Sequence, residues 1–173
     1  MPRTAYIALG SNLPFEGVEG PVLLARAVAA LHEARLEARA CSGVWRTPAW
    51  PSGDQPDYYN AVVALDPGSR SPQELYGVLR QIEARFGRER RERWAPRTLD
   101  LDIVAIDDLA GVFGSIELPH PRMHERAFVL APLAEIAPDW RHPELGETAG
   151  QLNARLVKAG GYRRLSDMPL GAG

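Results

Sequence analysis

The sequence predicts an α+β fold: a ferredoxin-like, split β-α-β sandwich, with a largely antiparallel sheet and helices packed on it. Three observations predict it. The first two-thirds of the 173 residues read as β-α-β-β-α-β. Two segments carry apolar stripes at helical spacing, and the segments around them are short apolar or alternating runs closed by turn residues. In that order the two helices cover one face of the sheet.

Ala5 to Leu9 is an apolar run ended by Gly10-Ser11-Asn12, a strand and its turn. Pro21 to Ala34 places Leu24, Val28 and Leu31 on one helical face. Leu36 to Arg46, including Trp45, reads as one strand, and Thr47 to Asp57, with three prolines and a glycine, as a loop. Tyr58 to Leu65 is a strand closed by Asp66-Pro67-Gly68. Ser71-Pro72-Gln73-Glu74 combines an N-cap, a proline at the first helical position and a capping-box glutamate. Leu75, Val78, Leu79, Ile82 and Phe86 continue that helix as a single stripe, and Gly87 ends it. Thr98 to Ile106 and Ser115 to Leu118 are strands. Ala127 to Ile136 is a helix interrupted or ended near Pro132 and Pro138, and Thr148 to Ala159 is another. One domain over residues 1–166 and a mobile tail over 167–173 are expected.

The totals narrow the function. A net charge of −2 argues against a general nucleic-acid or membrane-surface binder. Apolar stretches fall short of a membrane span, the N-terminus lacks a signal-peptide layout, and Cys41 has no partner for an internal disulfide. A cytoplasmic monomer acting on small molecules is expected. Charge is uneven, however. From Arg80 to Arg97 arginines far outnumber acids, directly before L-D-L-D-I at 99–103.

Strand side chains alternate faces, so Asp100 and Asp102 share one face while Leu99, Leu101 and Ile103 share the other. Paired carboxylates suit magnesium, which takes oxygen ligands together with substrate phosphates. Arg88, Arg90, Arg91, Arg93 and Arg97 offer forked donors for phosphate oxygens. The bland alternative is a solvated edge strand whose acids pair with surface arginines worth about 0–1 kcal/mol each. Tyr58 and Asn60 share a strand face and, with Trp50, offer ring stacking and directional hydrogen bonds; packing of these rings on the core is the alternative. In L-P-H-P-R-M-H-E-R, the His120/His124 spacing resembles a helical metal pair, but Pro119 and Pro121 oppose a helix and no third ligand is evident. Phosphate contact by His120 and Arg126 fits better. Neither a Walker A loop nor a serine nucleophile elbow occurs. A two-metal nucleotidyltransferase and an RNA-recognition-like module are the competing classes, although the latter wants a basic, aromatic strand face.

The run R-W-A-P-R-T-L-D-L-D-I at 93–103 resembles the signature of the 6-hydroxymethyl-7,8-dihydropterin pyrophosphokinase family of folate biosynthesis. So do A-Y-I-A-L-G-S-N-L near the start, R-T-P and D-Q-P-D-Y-x-N at 54–60, I-E with G-R-x-R at 82–90, and P-H-x-x-M-x-x-R-x-F-V-L-x-P-L-x-E-I-A-P at 119–138, in the family's order. The resemblance implies a ferredoxin-like fold and transfer of pyrophosphate from ATP to the pterin hydroxymethyl group, releasing AMP. It implies that Asp100 and Asp102 hold two Mg2+ ions, that Arg88 and Arg97 stabilise the transferring group, and that Arg90 and Trp94 sit on a closing loop. Glu83, Ile103, His120 and Arg126 would bind ATP. Gly10, Thr47, Pro48, Trp50, Tyr58, Asn60 and Phe128 would form the pterin slot, Phe128 and an aromatic opposite it sandwiching the ring. The chain departs from the family's usual pattern at Ala95 (glycine), Arg80 (glutamine), Trp50 (leucine in some members) and Pro121 (tyrosine in some), and its arginine loop is about one residue shorter than in some members. The Arg80 departure puts that ATP contact in question.

Overall fold

The computed structural model describes residues 3–48, 56–87, 98–156 and 162–168. Trp50, Arg88, Arg90, Arg91, Arg93, Trp94, Ala95 and Arg97 lie outside these residues, and with them most of the arginine loop.

The chain order is β1 (Ala5–Ser11), α1 (Gly20–Glu33), β2 (Ala38–Cys41), β3 (Val44–Thr47), β4 (Tyr58–Leu65), α2 (Pro72–Arg85), β5 (Asp100–Ile106), β6 (Gly111–Phe113), β7 (Ile116–Leu118), a 3₁₀ turn (Met123–Glu125), α3 (Ala127–Ile136), α4 (Ala149–Arg155) and β8 (Arg163–Ser166). The main sheet runs β5-β1-β4-β3-β8, with β2 also on β4, and its pairs are antiparallel. This is the ferredoxin-like α+β arrangement that the element order implies, with the hairpin β6-β7 added beside it.

Hydrophobic alternation assigns the faces. Ile7 and Leu9 of β1, Ala61 and Val63 of β4, and Leu101 and Ile103 of β5 join Leu23, Leu24, Leu31, Leu75 and Leu79 of α1 and α2 in one core. The opposite face is covered as well, which the sequence reading did not include. Val62, Val104 and Ala105 pack there against Leu130 and Leu133 of α3 and Leu152 of α4. The cause lies in β4 and the far half of β5, which are apolar on both faces and so need a second layer.

A bulge in β5 lets one strand serve both layers. Ile7 faces Ile103 and Tyr6 faces Ala105, so Val104 is the extra residue. Alternation keeps Asp100, Asp102 and Val104 on one face; the bulge sets Ala105 on that face too and returns Ile106 to the first core.

Several elements differ from the sequence reading. The single strand over 36–46 is two, broken at Ser42-Gly43. Ser42 is fully buried, its N–H donates to Val62 O and its Oγ accepts from Val62 N, both at 2.9 Å. Gly43 N donates instead to Glu135 Oε2 on α3, at 2.7 Å. Strand β1 runs on through Gly10-Ser11, because Gly10 and Ser11 pair with Asn60 and Tyr59. Pro132 sits inside α3 without ending it; burial of Val129, Leu130 and Leu133 outweighs the lost N–H bond. α4 closes at Arg155, earlier than Ala159. β8 pairs with β3 although its four residues are exposed, so no apolar pattern announced it. Of the tail expected from Asp167 onward, Met168 is buried in the first core, and residues 169–173 lie outside the described residues.

The α2 cap matches its sequence signature: Ser71 Oγ accepts from Glu74 N at 3.1 Å and Glu74 Oε2 from Ser71 N at 2.7 Å. Ser71→Ala is expected to lower the unfolding free energy by about 1 kcal/mol, read as a shift in urea midpoint at unchanged slope.

Candidate active site

A cleft of about 650 Å³ opens on the sheet face that carries the aspartates. Its floor follows from strand register. Asp100 lies opposite Gly10, and Gly10 opposite Asn60; one residue pair along, Asp102 lies opposite Ala8 and Ala8 opposite Val62. Directly opposed residues share a face, so a carboxylate row and an amide flank the two small residues of β1. Two strand spacings separate Asp100 from Asn60, roughly 10 Å between backbones.

Gly10 is required for space. A Cβ there would sit 3.0 Å from Asn60 Oδ1 and 3.9 Å from the Tyr58 ring. Asn60 is only 5 % exposed and donates through Nδ2 to Thr47 Oγ1 at 2.7 Å, which fixes its amide. Thr47 lies opposite Tyr58, so Thr47, Pro48, Tyr58, Asn60 and Gly10 line one end of the cleft together.

The segment from His120 to Phe128 forms the facing wall. His120 N–H donates to Val104 O at 2.8 Å, tying this wall to the outer edge of β5. The ring Nδ1 accepts from Arg122 N at 3.2 Å, which leaves the hydrogen on Nε2. Burial, then Arg126 and Arg122, push the His120 pKa down to about 4. Near neutral pH it is therefore an uncharged donor. Arg126 is half-buried, and its guanidinium packs over the Phe128 ring at 5.5 Å. Burial pulls its pKa down, and the charges of Asp102 and Asp100 oppose that. The cation thus faces the carboxylate pair.

The donor set of that pair is oxygen-only, and the Asp102 side chain is 46 % exposed to the cleft. This chemistry fits magnesium, which favours carboxylates and keeps further positions for water or phosphate. His124 turns away toward Glu125, 3.7 Å off, and packs edge-on against His142. Among the described residues no three His, Cys, Asp or Glu side chains gather into a metal site.

Two residues expected at the nucleotide, Glu83 and Ile103, stand apart from the cleft lining. Glu83 is 1 % exposed and lies outside the cleft lining. Its Oε2 accepts from Leu101 N at 2.8 Å, and its Oε1 lies 2.6 Å from Arg80 Nη1. Arg80 Nη2 donates to Leu101 O at 2.7 Å, approaches Asp102 Oδ1 to 3.8 Å, and its guanidinium stacks 4.5 Å from the Tyr76 ring centre. The pair grips the backbone of β5, so Glu83 positions the aspartate strand. Ile103 is 6 % exposed with its side chain in the first core. The alternation that aims Leu101 N–H and C=O at the outer edge aims those of Ile103 there too, so only its backbone is offered to a ligand.

The cleft therefore gathers Asp100, Asp102, His120, Arg126, Gly10, Thr47, Pro48, Tyr58, Asn60 and Phe128. Trp50, Arg88, Arg90, Trp94 and Arg97 lie outside the described residues. The sequence reading missed Ala8, Met123, Leu156 and Tyr162 in the lining. Strict alternation from Gly10 would have found Ala8. Nothing local singles out Tyr162, which depends on long-range pairing of β8 with β3.

A native His120 pKa of about 4, below the ordinary 6.5, means the unfolded chain takes up the proton first as pH falls. Its favourable contribution is complete above pH 6.5 and is lost between 6.5 and 4. Urea unfolding at pH 7.5 and pH 5 is expected to show about 1–2 kcal/mol less acid destabilisation in His120→Asn than in the parent chain.

Comparison with known proteins identifies the family. The family model of 7,8-dihydro-6-hydroxymethylpterin-pyrophosphokinase (HPPK) matches residues 6–138. A 2-amino-4-hydroxy-6-hydroxymethyldihydropteridine pyrophosphokinase of Synechocystis sp. is 46 % identical over 151 residues, spanning 86 % of this chain and 73 % of the relative. The protein of that name from Bacillus subtilis is 42 % identical over 137 residues, 79 % of each chain. Among solved structures, wild-type Plasmodium falciparum HPPK-DHPS superposes with a TM-score of 0.68 at 14 % identity. That likeness concerns the fold, and the chain spans 47 % of the Plasmodium chain's length. With a family model matched over most of its length, the chain belongs to the 7,8-dihydro-6-hydroxymethylpterin-pyrophosphokinase family.

Proposed function

We propose that this chain, a pyrophosphokinase by family, transfers the β,γ-pyrophosphoryl group of ATP to the hydroxymethyl oxygen of 6-hydroxymethyl-7,8-dihydropterin and releases AMP. The row Asp100–Gly10–Asn60 carries the reading. Its span of roughly 10 Å suits a bicyclic ring held by the amide end, with its exocyclic carbon directed at the carboxylates.

At the amide end, Asn60 and Thr47 supply fixed polar groups for the ring edge, while Tyr58 and Phe128 supply flat apolar faces. At the other end, Arg126 offers a cation and His120 a neutral Nε2–H to phosphate oxygens. In the reaction the hydroxymethyl oxygen bonds to the β-phosphorus, the bond from that phosphorus to the α,β-bridging oxygen breaks, and the hydroxyl proton passes to solvent. Such transfers depend on alignment and charge stabilisation more than on a strong base. Magnesium held by Asp100 and Asp102 would neutralise phosphate charge and polarise the reacting oxygens; the family's two-ion count is part of this proposal. Arg88 and Arg97 are assigned to the transferring group, and Arg90 and Trp94 to closure over ATP. Ile103 contributes backbone only. A cytoplasmic, monomeric enzyme completes the reading. No helix among the described residues is long and apolar enough to cross a membrane.

AMP formation from ATP and the pterin tests the assignment and separates it from nucleotidyl transfer, which would release pyrophosphate. Asp102→Asn is expected to cut AMP formation by at least about a hundredfold with unchanged circular dichroism. Near-normal turnover of that variant at saturating magnesium would remove Asp102 from the metal site. Gly10→Ala is expected to raise the pterin KM about tenfold and leave the ATP KM within about twofold, because the added methyl presses on Asn60 alone; equal rises in both would contradict the division of the cleft.

A further inference from the structure

The family match ends at Pro138, yet the cleft lining includes Leu156 and Tyr162. Strand β8 brings the second of these in. Arg163 pairs with Arg46, and extending that register by one residue sets Tyr162 opposite Thr47. Thr47 in turn lies opposite Tyr58. Directly opposed residues share a face, so Tyr58, Thr47 and Tyr162 form one row on the cleft side.

The placement is anchored. Glu135 of α3 accepts from Arg164 at 3.0 and 3.2 Å, from Gly43 N at 2.7 Å, and from Trp45 Nε1 at 3.4 Å. One carboxylate thereby ties β8 and β3 to the helix that carries Phe128. Met168, two residues past β8, is buried in the first core and holds the strand from its other end. The Tyr162 ring is half-buried, and burial pushes its phenol pKa up, so the hydroxyl keeps its proton at working pH. Among the described residues none hydrogen-bonds that hydroxyl. A partly buried phenol gains from a partner.

We infer that Tyr162 is a substrate-specificity residue: its ring extends the wall begun by Tyr58 and Thr47, and its hydroxyl donates to a polar edge atom of the bound bicyclic heteroaromatic substrate. The inference rests on the pterin reading of this cleft. It gives the C-terminal strand a role in recognition at the ring end, remote from the carboxylates. It also assigns the phenol to binding in ground and transition states alike, so KM moves and kcat does not.

The test is titration of the full chain with 6-hydroxymethylpterin, in the presence of magnesium and a non-hydrolysable ATP analogue, followed by intrinsic fluorescence. Tyr162→Phe is expected to raise the pterin Kd about three- to tenfold, the effect of one neutral hydrogen bond. Tyr162→Ala should raise it further, with the analogue's Kd within about twofold and kcat near the parent value. Arg163→Ala, whose side chain alternates to the other face, serves as control and should leave pterin binding unchanged. Unchanged pterin binding in both Tyr162 variants, or equal weakening of both ligands, would overturn the inference. Weakening in the alanine variant alone would overturn the hydroxyl's part and retain the wall. Tyr162→Phe keeps the ring volume, so the hydroxyl is tested even if the alanine variant fails to fold. A parent chain that neither binds the pterin nor forms AMP would instead overturn the function on which the inference stands.

Discussion

Everything in the cleft depends on the register in which β5, β1 and β4 pair. A one-residue slip of β5 would drive Asp100 and Asp102 into the first core and turn Leu101 and Ile103 out. Burial of those two side chains contributes roughly 1.5–3 kcal/mol each, and two buried carboxylates would cost more, so the register is strongly fixed. The Val104 bulge then resolves a conflict that strict alternation could not. It places the adjacent Val104 and Ala105 both on the second layer and so returns Ile106 to the first core.

The same register explains how the carboxylate pair is tolerated. Residues two apart on a strand lie roughly 7 Å apart along the backbone, so two charges there repel by only about 1–2 kcal/mol in a partly solvated setting. Arg126 faces them across the cleft and Arg80 approaches Asp102 from the outer edge. Cations from two sides offset that repulsion and leave Asp102 open to the cleft. Arg80 also stays engaged elsewhere, with Glu83, Leu101 O and the Tyr76 ring, and so forms a fixed counter-charge. A glutamine at this position would lose the charge.

Local signals made much of this legible. Strand β4 has the bounds its apolar run implies, and α2 has the start its capping box implies, because both depend on residues adjacent in sequence. The alternation through 99–103 correctly separates core from cleft. What escaped depends on distant partners. The break at Ser42-Gly43 is set by Val62 and Glu135, and the hairpin strand β6 by its short partner β7. Strand β8 is exposed, paired with β3 through its backbone and tied to α3 by Arg164 and Glu135. Glu83 illustrates the limit at the site. Type and position alone do not separate a carboxylate that meets a ligand from one that meets a backbone N–H. The 1 % exposure of Glu83 and its 2.8 Å bond to Leu101 N come from packing against β5, which no local pattern encodes.

That bond belongs to a pattern along the outer edge of β5. An unpaired strand edge invites association with another chain. Here the edge is closed by side chains and one loop: Glu83 takes Leu101 N–H, Arg80 takes Leu101 C=O, and His120 N–H takes Val104 C=O. Each closure doubles as a placement. Glu83 and Arg80 hold the strand at the level of the aspartates, and the His120 bond sets the wall that carries Arg126. Between the two closures stands Ile103, whose backbone groups turn toward the same edge and whose side chain is committed to the core. The protection of the edge and the assembly of the carboxylate end of the cleft are therefore one set of contacts, and loosening it would disturb the carboxylates before it disturbed the Asn60–Thr47 end.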